Sequence, residues 1–196
     1  MNHYIENSKN QYPDNIFISY KNQNITFLDF YHNVYTKSCS LTNLNFTDTS
    51  KVGILLSNPI DILELYFSCV QLNKVPIIFP TDITNDELQK IIDNYKINLI
   101  ATEWVRKPQA NSIKNSNFFY IQELSSSYGG CANLEFEKNI NDFDTIQSMH
   151  LTSGSTGFPK LINLSFKNFI SSVEQWHEDK KKLMPIISKI LASGKY

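Results

Sequence analysis

A ten-residue run at 151–160 combines the residue types that bind phosphate groups. It reads Leu-Thr-Ser-Gly-Ser-Thr-Gly-Phe-Pro-Lys and so holds two glycines, four hydroxyl side chains and one lysine. Glycine allows a positive φ and lets backbone N–H groups approach a ligand without a Cβ between them. Successive N–H groups in such a turn form a concavity for anions, to which hydroxyls and a lysine add donors and charge. The run therefore predicts a site for a polyphosphate, and the natural ligand that carries one is a nucleotide.

The run differs from the common P-loop in the way it ends. The P-loop needs Gly-Lys followed by Ser or Thr at the start of a helix, whereas here Pro159 precedes Lys160. Proline has no backbone N–H to donate, and apolar residues flank the run from Ile146 to Leu151 and from Leu161 to Leu164. We therefore expect a loop that joins two strands. The alternative interpretation is a solvated Ser/Gly-rich hairpin that binds nothing.

The bulk composition argues against several functional classes. Eighteen Lys and Arg residues balance nineteen Asp and Glu residues, and the resulting net charge of −1 offers no attraction to nucleic acid or to an anionic membrane. No apolar run approaches the ~18 residues that a membrane-spanning helix needs, and the polar stretch 1–10 lacks the apolar core of a secretion signal. The three cysteines, Cys39, Cys69 and Cys131, suit reduced thiols better than disulfides or a metal site. We expect a cytoplasmic protein without a metal site of its own.

Strand-like and helix-like segments alternate from about residue 25, which predicts a parallel sheet with helical crossovers. Short apolar runs predict four strands before the loop, at 51–56, 75–79, 98–101 and 118–121. Pro76 places the second of these strands near an edge of the sheet or delays its start. The rest of segment 103–144 has the composition of a surface connection. The fold class is α/β with a doubly wound sheet.

Capping residues and apolar periodicity predict the helices between these strands. Thr26 begins a helix that extends to about Leu41, and Pro59 begins a second. The capping box Thr84-Asn85-Asp86-Glu87 begins a third, which extends to about Tyr95. In the second helix the residues that recur at helical spacing, and that we expect on its buried face, are Ile60, Leu63, Phe67 and Val70.

Two features close to the loop have competing interpretations. His150 is a substrate-side residue or, as is commoner for a lone histidine beside a strand, a structural one. Ser165 begins a helix whose apolar stripe serves the core or lines an acyl pocket, and we expect the core. The stripe consists of Phe166, Phe169, Ile170, Val173 and Trp176.

The run at 152–160 resembles the phosphate-binding loop of the AMP-forming ligase superfamily, which includes acyl- and aryl-CoA ligases, peptide-synthetase adenylation domains and luciferases. That loop has the form Thr-Ser-Gly-Ser/Thr-Thr-Gly-x-Pro-Lys-Gly, and only its final glycine is replaced here, by Leu161. Asn73 stands where a glycine normally follows the first crossover helix, and asparagine also tolerates the left-handed conformation. Three earlier segments are similar in order and approximate spacing, namely Ile25–Phe30, Val52–Pro59 and Ile83–Leu88. The resemblance covers about residues 12–178.

The resemblance implies a fold, a reaction and a set of ligands. The fold is the N-terminal part of the large doubly wound domain of these ligases. The reaction is ATP-dependent activation of a small-molecule carboxylic acid through an acyl-adenylate; Mg²⁺ accompanies ATP, and the thiol acceptor is coenzyme A or a carrier-protein pantetheine. The short stretch before the loop resembles compact bacterial enzymes such as o-succinylbenzoate–CoA ligases and short fatty-acid–CoA ligases. No catalytic residue is assigned, and the residues implied in gripping the ATP phosphates are Thr152, Ser153, Gly154, Ser155, Thr156, Gly157 and Lys160.

The resemblance also implies that the chain carries only part of such a ligase. The superfamily's adenine, ribose and metal contacts and its adenylation lysine lie far downstream of the loop, beyond Tyr196. We expect residues 1–178 to form the N-terminal portion of the AMP-binding domain, residues 179–196 to be an atypical tail, and the isolated chain to be inactive. Two other hypotheses stay open, a fragment of a peptide-synthetase adenylation domain and a non-enzymatic remnant or nucleotide-binding partner. A sheet cut within a domain leaves an unpaired edge, which predicts self-association.

Overall fold

A computed structural model describes the chain over residues 2–44, 51–124, 144–152, 159–176 and 178–179. The helices are α1 (Asn2–Gln11), α2 (Phe27–Asn43), α3 (Pro59–Gln71), α4 (Asn85–Tyr95), α5 (Lys107–Ser112) and α6 (166–176). The strands are β1 (Ile16–Tyr20), β2 (Gln23–Thr26), β3 (Lys51–Leu55), β4 (Val75–Ile78), β5 (Leu99–Thr102), β6 (Asn117–Tyr120), β7 (Ile146–Thr152) and β8 (Lys160–Ser165). Two short 3₁₀ turns lie at Trp104–Arg106 and Ile121–Glu123.

Six strands form one sheet in the order β6-β5-β3-β4-β7-β8. The first five strands of this order pair in parallel, and β8 pairs with β7 antiparallel. The chain moves from β3 to β4 on one side and then crosses back to β5 on the other, so the strand order reverses within the sheet. Strands β1 and β2 form a separate antiparallel hairpin. In parallel sheets that reverse in this way, ligands bind at the carboxyl ends of the strands.

Alternate residues of the strands point into two different hydrophobic cores, one on each face of the sheet. Val52 and Ile54 of β3 pack with Leu65 of α3, while Leu55 and Phe79 pack with the buried side of α4. Helices therefore cover both faces, and the sheet is doubly wound as the sequence predicts. The same alternation reaches β7, whose Met149 and Leu151 lie on the α4 side.

The predicted helix starts are confirmed at the level of individual hydrogen bonds. Thr26 and Thr84 each accept a hydrogen bond from the backbone N–H of the residue three positions on. The carboxylate of that residue, Asp29 or Glu87, accepts one from the backbone N–H of the threonine. Ser165 makes the corresponding reciprocal bonds with Asn168 at 3.0 and 3.3 Å. Asn73 has a φ of 55°, so its backbone adopts the left-handed conformation that its position after the helix predicts.

Pro76 does not mark an edge strand, because β4 lies between β3 and β7 in the sheet. Nor does the strand start late, since β4 begins at Val75 and pairs with β3 from that residue. The Phe79 N–H donates to the Ile54 carbonyl of β3. Backbone N–H groups point alternately to the two sides of a strand, so the Pro76 nitrogen, which carries no hydrogen, faces β7. Pairing with β7 begins only at Ile77, one residue later.

Two predicted apolar faces differ from the observed ones. In α3 Leu63 is exposed, whereas Glu64 and Ser68 are buried against α2 and the sheet. In α6 only Phe166 of the stripe is buried; Phe169, Val173 and Trp176 are exposed, Trp176 to 59%. In the part of the chain that the structure describes, the expectation that the α6 stripe serves the core is therefore confirmed for Phe166 and wrong for Phe169, Val173 and Trp176.

A buried charge cluster joins α2 to α3. Glu64 has a side chain only 3% exposed and forms an ion pair with Lys37, and the Asn33 amide donates to its other carboxylate oxygen at 2.7 Å. Lys37 also reaches Asp61 at 3.3 Å. A buried carboxylate needs such partners because its desolvation costs several kcal/mol.

Replacement of Lys37 by methionine should lower the free energy of unfolding by about 3–5 kcal/mol, because Glu64 then stays buried without a countercharge. The double variant Lys37→Met/Glu64→Leu should recover most of that loss, since both charges are gone. Chemical denaturation followed by circular dichroism measures both. Asp61→Asn, at the half-exposed end of the cluster, is the control and should cost less than about 1 kcal/mol; equal losses for all three variants would contradict this account.

Gly53 allows β3 to approach its neighbours closely. A Cβ at this position would lie 2.6 Å from Cε2 of Phe79 and 3.0 Å from Cγ1 of Ile100. Both of these side chains are fully or almost fully buried, so neither can move into solvent.

Gly53→Ala should therefore destabilise the protein by about 1–3 kcal/mol through overpacking. The loss should be smaller when Phe79→Leu is also present, since leucine removes the ring atom nearest the new methyl group. Urea unfolding of the four proteins of this double-mutant cycle gives the coupling. Additive losses would show that the Phe79 contact is not the cause.

Candidate phosphate-binding site

The predicted loop lies between two strands that pair directly at its base. Thr152, the last residue of β7, is opposite Lys160, the first residue of β8, and the Thr152 hydroxyl donates to the Lys160 carbonyl at 3.3 Å. Pro159 comes just before β8. The structure therefore confirms that the loop connects two strands. The remaining predicted site residues lie outside the described residues, namely Ser153, Gly154, Ser155, Thr156 and Gly157.

The β7–β8 hairpin adds to the parallel sheet beside β4, and its loop lies at the carboxyl ends of the parallel strands. It joins the sheet through Ile77 opposite Met149 and Ile78 opposite His150. On the α4 side Met149, Leu151 and Leu161 pack against the hydrophobic core, and the Leu161 N–H donates to the Tyr95 hydroxyl at 3.2 Å. These contacts fix where the loop begins and ends.

The opposite side of the hairpin carries the polar residues of the candidate site. Side chains alternate along a strand, and directly opposed residues of antiparallel strands share a face. Thr152, Lys160, His150 and Ile162 consequently lie on one face, which we call the open face. Lys160, His150 and Ile162 are exposed there, and Thr152 is half-buried.

Further down this face the side chains are buried and hydrogen-bonded to one another. Ser148 is buried, and its hydroxyl lies 3.1 Å from Nε2 of His150. Burial raises the pKa of Tyr66. A hydrogen bond with Ser148 partly offsets this increase, and the nearby Cys69 adds to it. The sequence left His150 undecided between two interpretations, and its alternation with Ser148 and Thr152 is the signal that places it beside the loop.

A cleft of about 290 Å³ lies on the other side of the hairpin, next to α4. It is lined by Pro80, Asp82, Ile83, Glu87, Ile91, Leu151, Thr152 and Pro159. Thr152, at the end of β7, thus borders both this cleft and the open face. Hydrogen bonds from Thr84 lower the pKa of Glu87, which therefore carries a negative charge at neutral pH. The two carboxylates, Asp82 and Glu87, disfavour a polyphosphate on this side, so the open face is the better surface for phosphate.

A second cleft, of about 470 Å³, lies at the same edge of the sheet beyond the end of β3. Its lining includes Glu103, whose carboxylate accepts hydrogen bonds from the backbone N–H and the hydroxyl of Ser57 at 2.7 and 3.2 Å. Both donors of Ser57 are therefore already occupied. Lys21, at a φ of 51° in the β1–β2 turn, forms part of its rim.

Other chemical groups offer no competing site in the described ranges. No group of three or more His, Cys, Asp or Glu residues is placed there to hold a metal ion. Cys39 and Cys69 are buried and form no disulfide within the described residues. Burial raises the pKa of Cys69 to about 12, so it is not a nucleophile at neutral pH. Cys131 lies outside the described residues. Among the described helices, none has the length and apolar character to cross a membrane.

Comparison with curated proteins finds relatives among acid–CoA ligases. The chain is 26% identical over 196 residues to the 2-succinylbenzoate–CoA ligase of Oceanobacillus iheyensis. That alignment covers 94% of this chain and 39% of the relative, so the chain spans well under half the length of that ligase.

The fold is also that of solved ligase structures. The o-succinylbenzoate coenzyme A synthetase of Bacillus subtilis in complex with AMP superposes with a TM-score of 0.75 at 19% identity, over 88% of this chain and 44% of that one. The same synthetase in complex with ATP and magnesium ion gives 0.73 at 19% identity, over 88% and 46%. At this identity the likeness establishes the shared α/β architecture.

The family comparison covers almost the whole chain. The family model described as AMP-binding enzyme matches residues 5–190, a range that includes every strand of the sheet and both ends of the predicted loop. With the loop sequence at the carboxyl edge of a doubly wound sheet, this match makes the chain a member of the AMP-binding enzyme family.

Proposed function

We propose that this chain supplies the N-terminal part and the phosphate-binding loop of a ligase that activates a carboxylic acid with ATP. The reaction is formation of an acyl-adenylate, followed by transfer of the acyl group to coenzyme A, as in acyl- and aryl-CoA ligases. The family supports this proposal, and so do the CoA-ligase names of the relatives. The observation that carries it is the pairing of Thr152 with Lys160 across the mouth of the loop.

The arrangement suits the charge problem of this reaction. When a carboxylate oxygen attacks the α-phosphorus of ATP, the bond to the bridging oxygen breaks and pyrophosphate leaves with additional negative charge. Donors that are already in place stabilise such charge most effectively. Lys160 offers an ammonium group on the open face, and Thr152 offers a hydroxyl that would exchange its hydrogen bond to the Lys160 carbonyl for one to a phosphate. The loop sequence between them adds Ser153, Ser155 and Thr156 as hydroxyl donors. Gly154 and Gly157 lack the Cβ that would keep the backbone away from a ligand.

Mg²⁺ fits this site as a companion of the phosphates. The described residues hold no carboxylate cluster that could cage the ion, and Mg²⁺ commonly keeps several waters and binds phosphate oxygens with few protein ligands. Bound in this way it would neutralise part of the charge on the leaving pyrophosphate. Lys160 would add a point charge to the same group.

Loss of the Lys160 charge should weaken the binding of ATP and of pyrophosphate by at least about tenfold, because a charge-assisted contact with phosphate is lost. AMP lacks the terminal phosphates, and its affinity should change little in Lys160→Ala. Isothermal titration of the chain with MgATP, pyrophosphate and AMP measures the three affinities.

Lys167→Ala provides the matched control for this experiment. Lys167 is an exposed lysine on α6, seven positions after Lys160, and its loss should leave all three affinities unchanged. Equal weakening of ATP and AMP by Lys160→Ala, or weakening of the same size by Lys167→Ala, would contradict a specific grip on the terminal phosphates.

ATP–pyrophosphate exchange tests both the acid substrate and the expectation that this chain is inactive by itself. A panel of 2-succinylbenzoate, fatty acids and amino acids separates the hypotheses. Exchange above background with any of them would contradict the expected inactivity, and the acid that stimulates it would name the class. Stimulation by an amino acid would favour the peptide-synthetase alternative over a CoA ligase.

A further inference from the structure

His150 lies close to Thr152 and Lys160, the two residues that pair at the base of the loop. On β7 it precedes Thr152 by two residues on the same face, which places the two side chains about 7 Å apart along the strand. On β8 its direct partner is Ile162, two residues after Lys160. The imidazole is exposed, so a ligand held by Thr152 and Lys160 can reach it.

The imidazole is held by Ser148, which is itself hydrogen-bonded to Tyr66. Ser148, 3% exposed, places its hydroxyl 3.1 Å from Nε2 of His150. Its other partner, Tyr66, is half-buried on α3. Buried hydroxyls need such partners, and here the chain Tyr66–Ser148–His150 leads from the core to the open face.

The Ser148 contact occupies one ring nitrogen of His150 and leaves the other available. Nε2 lies against the Ser148 hydroxyl, so Nδ1 is the nitrogen that can meet a ligand on the open face. In a neutral imidazole one nitrogen donates and the other accepts.

We propose that His150 is a further ligand-binding residue, whose Nδ1–H donates to an oxyanion of a ligand bound beside Thr152 and Lys160, while the Ser148 hydroxyl donates to Nε2. The oxyanion is a phosphate of the nucleotide or the carboxylate of the acid substrate, both of which accept hydrogen bonds in the same way. The proposal rests on the proposed function and assigns a role to a side chain that the loop sequence does not include.

The test compares three variants of the full chain. His150→Leu removes the donor and keeps a side chain of similar size. His150→Asn restores an amide N–H close to the position of Nδ1. His32→Leu makes the same chemical change at an exposed histidine on α2 and is the control. Binding of MgATP, AMP, pyrophosphate and 2-succinylbenzoate is measured by titration calorimetry, beside Lys160→Ala.

His150→Leu should weaken at least one of these probes about tenfold, the lower end for a hydrogen bond to a charged group. His150→Asn should recover most of the loss, and His32→Leu should show none. Weakening of the phosphate probes alone assigns the contact to the nucleotide, and weakening of the carboxylate alone assigns it to the acid. Unfolding curves for each variant distinguish a lost contact from a lost fold.

The results also separate this inference from the proposed function. If Lys160→Ala weakens ATP while His150→Leu changes every probe by less than twofold, the inference is overturned and the proposed function stands. If the wild-type chain binds no phosphate probe at all, the proposed function fails and the inference with it. Long-range ¹H–¹⁵N spectra of the imidazole add a direct check, since a ring protonated on Nε2 in the neutral state would contradict the proposed direction of the hydrogen bonds.

Discussion

The position of the whole candidate site depends on one short stretch of parallel pairing between β4 and β7. Only two residue pairs, Ile77 with Met149 and Ile78 with His150, connect these strands. In the described part of the chain β8 pairs with β7 alone, so both ends of the loop reach the sheet through this contact. Pro76 shortens the pairing because it has no N–H to offer β7. Burial of Met149 and Leu151 against the α4 core must therefore supply much of what holds the hairpin in place.

Local chemistry made much of the fold predictable. A capping box is satisfied within four residues, so Thr84 and Glu87 fix the start of α4 whatever surrounds them. The left-handed turn at Asn73 and the strand β3 are likewise determined by residues close in sequence. At the candidate site the sequence predicted two strands joined by a loop, and the structure adds that Thr152 and Lys160 pair directly across it.

What the sequence could not predict depends on partners far along the chain. Glu64 is buried only because Lys37 and Asn33 meet it from α2, and no spacing within α3 indicates this. The β1–β2 hairpin turns at Lys21 with positive φ and lacks the Asn-Gly or Asp-Gly pair that usually marks such turns. The stripe on α6 has the periodicity of a core helix, yet Trp176 is exposed in the described structure. Self-association through the β8 edge stays a prediction.

Along β7, side chains that contribute to stability alternate with side chains that are available for binding. Met149 and Leu151 face the α4 core, where a substitution changes packing; His150 and Thr152 face the open side, where a substitution changes what a ligand meets. Because the side-chain period of a strand is two, a shift of the β4–β7 register by one residue would exchange these roles. The register is held by the apolar side, since a shift would expose Met149 and Leu151 and turn an imidazole toward the core, where it would need a hydrogen-bond partner. The packing against α4 thus determines which residues of the loop hairpin are available for chemistry.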